Sequence, residues 1–155
     1  MSDSPSAVIF DVDGTLCDVS GVRHYVTKDP KRRNFEKFHG AAILCPPNQW
    51  VVDLSREYCD QGTSVIVVTS RRERWRYKTS MWLRKWGIDY TILLMRADDD
   101  DRPDVDVKRS ILNRIRETYE VIAAVDDNPS ILALWEAAKI PTIVTVPGWF
   151  TEEES

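Results

Sequence analysis

Short β-branched runs that stop abruptly at polar residues recur along the chain, and stretches with helical periodicity lie between them. Ala7-Val8-Ile9-Phe10, Val65-Ile66-Val67-Val68, Ile92-Leu93-Leu94-Met95, Ile122-Ala123-Ala124-Val125 and Thr142-Ile143-Val144-Thr145-Val146 read as buried strands. Helices are expected over Pro47 to Gln61, where Trp50, Leu54 and Tyr58 recur at spacing four before Gly62; over Glu73 to Trp86, closed by Gly87; over Val105 to Tyr119; and over Pro129 to Lys139. Trp82 and Trp86, also four apart, read as a buried helix face. Continuous apolar strands separated by amphipathic helices predict an α/β fold, a Rossmann-like parallel sheet sandwiched by helices. Between Cys17 and Cys45 the apolar residues are scattered and Gly21, Pro30 and Gly40 interrupt them, which predicts a loop or short flap and a cap that is small or absent.

A length of 155 residues, 43% hydrophobic and 30% charged, predicts one domain over 1–155 with the segment at about 17–45 as its insert. Purely aliphatic stretches such as Val65 to Val68 are far too short for a membrane span and Met1 to Ser6 is polar, so neither a membrane span nor a signal peptide is expected and the reading is cytoplasmic. Cys17, Cys45 and Cys59 are odd in number and lack CxxC spacing, which disfavours disulfides and structural zinc.

The net charge of −4 hides an uneven distribution. From Arg71 to Arg96 eight cations face two acids, whereas from Asp98 to Asp106 six acids face Arg102 alone. Four consecutive acids cannot all reach one ion, so Asp98 to Asp101 reads as a solvated loop. Arg72, Arg74 and Arg76 fall near the end of the second strand, where they could meet backbone phosphates. His24 and His39 lack partners at metal-ligand spacing and stay outside the expected site.

Parallel sheets bind ligands beyond the carboxyl ends of their strands. Those ends carry Asp11 and Asp13, then Thr69, Ser70 and Arg71, then Asp126 and Asp127. Carboxylates converging there repel one another unless a hard cation accepts their oxygens, which predicts Mg²⁺. In Asp11-Val12-Asp13-Gly14-Thr15, one carboxylate can attack a phosphate and the other can move protons, with Thr69 and Lys108 available to hold the transferring oxygens. A lone DxD is common in turns and caps, and a lone lysine is usually solvated. The combination, in this chain order, is what points to chemistry.

DVDGTL from Asp11, VVTSR from Val67, Lys108 and VDDNP from Val125 resemble the four motifs of the haloacid dehalogenase phosphatase superfamily. SRRERWRYKTSMWLRKWGI, LLMRADDDDRPDVDVKR and the tryptophan-bearing helix after Asp127 are similar to the 3′-phosphatase domain of bacteriophage-type polynucleotide kinase/phosphatase. The resemblance implies that Asp11 is a nucleophile forming an aspartyl-phosphate and that Asp13 is the acid and base. It implies Mg²⁺ held by Asp11, the Asp13 backbone carbonyl and one acid of the Asp126-Asp127 pair, with Asp127 favoured and Asp126 orienting Lys108. Arg23, Arg71 and Asp104 match further active-site positions. The implied substrate is a nucleic-acid 3′ end, DNA or RNA. This sequence contains no GxxxxGK[ST] loop, so a separate kinase or ligase is an implied partner. The same core also suits a nucleotidase or small-metabolite phosphatase, and from another class a non-catalytic nucleic-acid-binding module on this fold.

Overall fold

The computed structural model describes residues 3–26 and 34–149. Five parallel strands form one sheet in the order β3-β2-β1-β4-β5. They are β1 (Ser6–Phe10), β2 (Ser64–Arg72), β3 (Ile92–Arg96), β4 (Glu120–Asp126) and β5 (Thr142–Thr145). Among the described residues the helices are α1 (Phe35–Ala42), α2 (Gln49–Asp60), α3 (Arg76–Lys85), α4 (Asp104–Ile115) and α5 (Pro129–Ala137).

The two-residue side-chain period of β1 sorts the core into two layers. Val8 and Phe10 face one way and pack with Val51, Val52, Trp82 and Leu83 from α2 and α3. Ala7 and Ile9 face the other way, toward Val107, Ile111, Ile131 and Trp135 from α4 and α5. Each face is covered by helices, which is why the strands read as unbroken apolar runs.

From β1 the chain moves outward through β2 to β3 and then returns to place β4 on the other flank of β1. The order therefore reverses between β1 and β4, the position at which open parallel sheets leave a crevice. Phe10 pairs with Val67 on one side and Val125 on the other, so the residues that follow β1 and β4 emerge together.

The structure departs from the sequence reading in four places. The strand expected at Val65 to Val68 continues to Arg72, because a bulge between Thr69 and Arg72 keeps it paired with β3 and brings Arg72 level with Arg96. The helix expected from Glu73 begins as a 3₁₀ turn over Glu73–Trp75 and becomes α-helical only at Arg76. On α2 the buried residues are Val51, Val52 and Ser55, while Trp50 is about half exposed; the face is rotated from the Trp50 stripe. The 17–45 segment is not all loop. It contains a 3₁₀ turn (Arg23–Tyr25) and α1, whose first turn is capped by Asn34 Oδ1 accepting from the Lys37 amide at 3.0 Å. Phe38, Ala42 and Cys45 are buried from this segment, a helical spacing that the glycine and proline punctuation obscured. Its residues 27–33 lie outside the described part.

Cys17 and Cys45 are buried, Cys59 is exposed, and all three are free thiols. No helix among the described residues is long and apolar enough to cross a membrane.

Trp82 ties α3 to the end of the flap by donating from Nε1 to the Cys45 carbonyl at 2.9 Å, and the side chain is 2% exposed. Trp82→Phe leaves that carbonyl unsatisfied and the ring site underfilled, and is expected to cost about 2–4 kcal/mol by urea denaturation. A loss under about 0.5 kcal/mol would mean that the flap does not depend on this anchor.

Candidate active site

Strand ends supply the charged groups. Asp11 follows β1, Asp126 ends β4 and Asp127 follows it, all three almost fully buried. The sharp loop after β1 folds back through Gly14, whose amide donates to the Cys17 carbonyl at 2.8 Å and whose φ is +81°. A side chain at Gly14 is excluded twice, by that backbone and because its Cβ would lie 1.9 Å from Asp127 Oδ2. The glycine is what lets the loop and the Asp127 carboxylate share the space.

Lys108, one turn into α4 and 3% exposed, reaches across to both strand ends. Its Nζ donates to Asp11 Oδ1 at 3.0 Å and to Asp126 Oδ2 at 2.9 Å. Asp104, four residues earlier on α4, does not pair with it; Asp104 accepts from Arg96 at the end of β3. The other Asp126 oxygen accepts from the amides of Asp127 and Asn128 at 2.9 and 3.0 Å. The Thr15 hydroxyl lies 3.1 Å from Asp11 Oδ2 and 3.3 Å from Asp127 Oδ1.

Asp13 stands apart from this triad. Arg71 grips it with Nε at 3.0 Å and Nη2 at 2.6 Å, and donates its remaining Nη1 to Thr79 at 3.1 Å. Burial alone would raise the Asp13 carboxyl, but the bidentate guanidinium holds it below the usual carboxylate range. Burial and the neighbouring Asp126 push Asp11 well above that range, and push Asp127 up to about 7. Burial opposes the charge on Lys108, yet Asp11 and Asp126 raise its pKa further.

One ligand oxygen from each of Asp11, Asp126 and Asp127 falls within 4.8 Å of the others. The set is all hard carboxylate, which fits a hard divalent cation. Asp126 already accepts three hydrogen bonds, which leaves Asp11 and Asp127 as the carboxylates best able to bind directly.

These groups open into a pocket with room for a handful of water-sized groups. Of the residues expected from the sequence, Asp11, Asp13, Arg23, Thr69, Asp104, Lys108, Asp126 and Asp127 all line it. Arg71, Arg72 and Arg74 do not. Arg71 is fully buried behind Asp13. Arg72 and Arg74 are drawn away from the crevice by the acidic loop after β3: Arg72 pairs with Asp101 at 2.6 Å, and Arg74 with Asp98 at 3.4 Å and Glu36 at 3.3 Å. Arg71, implied by the resemblance, and Arg72 and Arg74, expected from sequence order, are thus ion-paired within the protein rather than facing the pocket. Phe38, His39, Asn128 and Trp149 also line it and were missed, and Ser70, named above among the strand-end residues, lines it too. Ser70 Oγ is buried without a hydrogen-bond partner. Extending the strand-end rule one residue past Asp127 would have found Asn128; nothing local distinguishes His39 or Trp149.

Residues 5–150 match the family model of the polynucleotide kinase PNKP phosphatase domain, which is of the haloacid dehalogenase type. The chain belongs to this family. It is 30% identical over 145 residues to a bifunctional polynucleotide kinase/RNA ligase of Autographa californica nuclear polyhedrosis virus, covering 92% of this chain and 19% of the viral protein. It superimposes on a chain of the Pnkp1/Rnl/Hen1 complex with a TM-score of 0.79 at 30% identity, covering 97% of this chain and 49% of that one. A class C acid phosphatase from Bacillus anthracis shares the fold, with a TM-score of 0.73 at 12% identity over 99% of this chain and 70% of the other. The PNKP-type phosphatase is thus a phosphomonoesterase, and it spans 19% of the viral protein and 49% of the complex chain it matches.

The raised carboxyls make a stability prediction. A carboxyl raised from 3.8 to about 7 by folding takes up protons in that interval, so metal-free stability falls as pH rises from about 4 to 7. The lowered Asp13 acts oppositely, but only below that window. Thermal unfolding in EDTA should show this decline, on the order of a few kcal/mol, and millimolar Mg²⁺ should raise Tm more at neutral pH than at about pH 5. Asp127→Asn is expected to flatten the decline and abolish the Mg²⁺ effect. A pH-independent Tm would refute the electrostatic account.

Proposed function

We propose that this PNKP-type phosphatase uses Mg²⁺ to remove 3′-phosphates from polynucleotide ends through an aspartyl-phosphate on Asp11. The observation that carries the reading is the joining of Asp11 and Asp126 by buried Lys108 beside Asp127, in a chain of this family. Relatives solved as the Pnkp1/Rnl/Hen1 RNA repair complex favour RNA as substrate and a ligase or kinase as partner.

In this reading Asp11 and Asp127 would hold the cation, with the Asp13 backbone carbonyl that the resemblance implies, and Asp126 keeps Lys108 in place. Bound Mg²⁺ would neutralise the acid cluster and draw charge from the phosphoryl oxygens. An Asp11 oxygen attacks phosphorus, the bond to the 3′ oxygen breaks, and the leaving oxygen takes a proton from Asp13. Water then attacks the aspartyl-phosphate and gives its proton to Asp13, which restores Asp11 and releases inorganic phosphate. Arg71 keeps Asp13 ionised at rest, which suits the water-activating half. The arriving phosphate, placing negative charge beside it, raises its proton affinity, so that Asp13 takes up a proton from solvent before it protonates the leaving oxygen. Thr69, Ser70, Lys108 and the amides near Val12 and Asp13 receive the equatorial oxygens. Arg23 and Asp104, both in the lining, border the path of the strand end.

The test is phosphate release from matched oligonucleotides carrying a 3′- or a 5′-phosphate, beside a 3′-mononucleotide. Selective release from the 3′ end is expected, lost in EDTA and restored by Mg²⁺. Asp11→Asn should lose on the order of a thousandfold or more with its fold intact. Better turnover of the mononucleotide would reassign the chain as a nucleotidase. No release from any ester by the folded protein would sink the catalytic assignment.

A further inference from the structure

The pocket has a second kind of lining besides the acid cluster and its cations. Val19, Val26, Phe38, His39 and Trp149 reach it from the segment after β1, from α1 and from the segment after β5. A phosphoryl group and a hard cation gain nothing from aromatic neighbours. A leaving group with apolar faces does, because base–aromatic stacking contributes about 1–3 kcal/mol per base. Val19, Val26 and Phe38 are buried, whereas His39 and Trp149 are half-buried.

Both rings sit on braced backbone. Phe38 packs against His39 with ring centroids 5.5 Å apart at 59°. Their helix lies close against Trp75, 3.5 Å from where a side chain at Gly40 would stand, and its Ala42 carbonyl accepts from the Cys17 thiol. Arg23 donates to the carbonyl of Gly148, which fixes the residue before Trp149 to the flap. A platform already in place costs a ligand little ordering entropy. The arginines of the Arg71–Arg76 run are all ion-paired within the protein, so this run offers little alternative grip on a strand.

We infer that His39 and Trp149 form a nucleoside subsite at this pocket, which takes the base and sugar of the terminal 3′-phosphorylated nucleotide. The inference rests on the polynucleotide reading above and adds where the strand end is recognised: by stacking on its last base, not by a basic groove along its backbone.

The test uses the full chain with Mg²⁺ and three substrates: a 3′-phosphorylated oligonucleotide, the same strand ending in a 3′-phosphorylated abasic sugar, and a phosphotyrosyl peptide. The intact end is expected to exceed the abasic end by about tenfold in kcat/KM. Trp149→Ala and His39→Ala should each bring that ratio close to one, mainly through KM, while Trp149→Phe retains most of it. Equal losses on both ends, or no preference in the unaltered protein, would overturn the subsite while leaving 3′ release intact. Faster turnover of the peptide would overturn it in favour of an aromatic phosphoester. Absence of release from either 3′-phosphorylated strand would sink the polynucleotide reading and the subsite with it.

Discussion

The charge balance at the carboxyl ends of β1 and β4 governs the rest of the structure. Asp11, Asp13, Asp126 and Asp127 converge there, and among the described residues Lys108 and Arg71 form ion pairs with them. Buried ion pairs like these are costly to break, about 3–5 kcal/mol when one partner is removed, because the survivor stays desolvated. The two cations divide the acids: Lys108 binds Asp11 to Asp126, and Arg71 takes Asp13 out of the cluster. Asp127 is left with a raised pKa and the Thr15 hydroxyl, so the surplus negative charge concentrates on the Asp11 and Asp127 side. A divalent cation bound there would remove that surplus and so join the chemistry of the site to the stability of the fold.

The same principle acts outside the crevice with a smaller effect. In sequence the basic stretch and the acidic stretch are separate blocks, but β2 and β3 lie side by side with Arg72 level with Arg96. Both strand ends therefore face the loop after β3, and Arg72, Arg74, Arg96 and Arg102 pair with acids of that loop and the first residue of α4. Exposed pairs of this kind contribute about 0–1 kcal/mol each. Their larger consequence is electrostatic, since a stretch that looks like a phosphate-binding strip is neutralised from within. Beside the acids, α1 and the segment after β5 bring aromatic rings into the lining of the pocket.

The local pattern determined the parallel α/β architecture, because strands covered on both faces must be apolar throughout and each run was bounded by turn and cap residues. It determined the acids and Lys108 as well, since a glycine-hinged DxD at a strand end has few other uses once a second acidic pair and a lysine follow in order. Only the tertiary structure decided which cation meets which acid. Lys108 lies 97 residues from Asp11, and Arg71 lies 58 residues from Asp13. Nothing in local spacing separates a lysine that crosses the crevice from one that pairs with Asp104 along its own helix. His39 and Trp149 were hidden for the same reason: each looks ordinary in its segment, and only the return of β4 beside β1 brings those distant segments to one pocket.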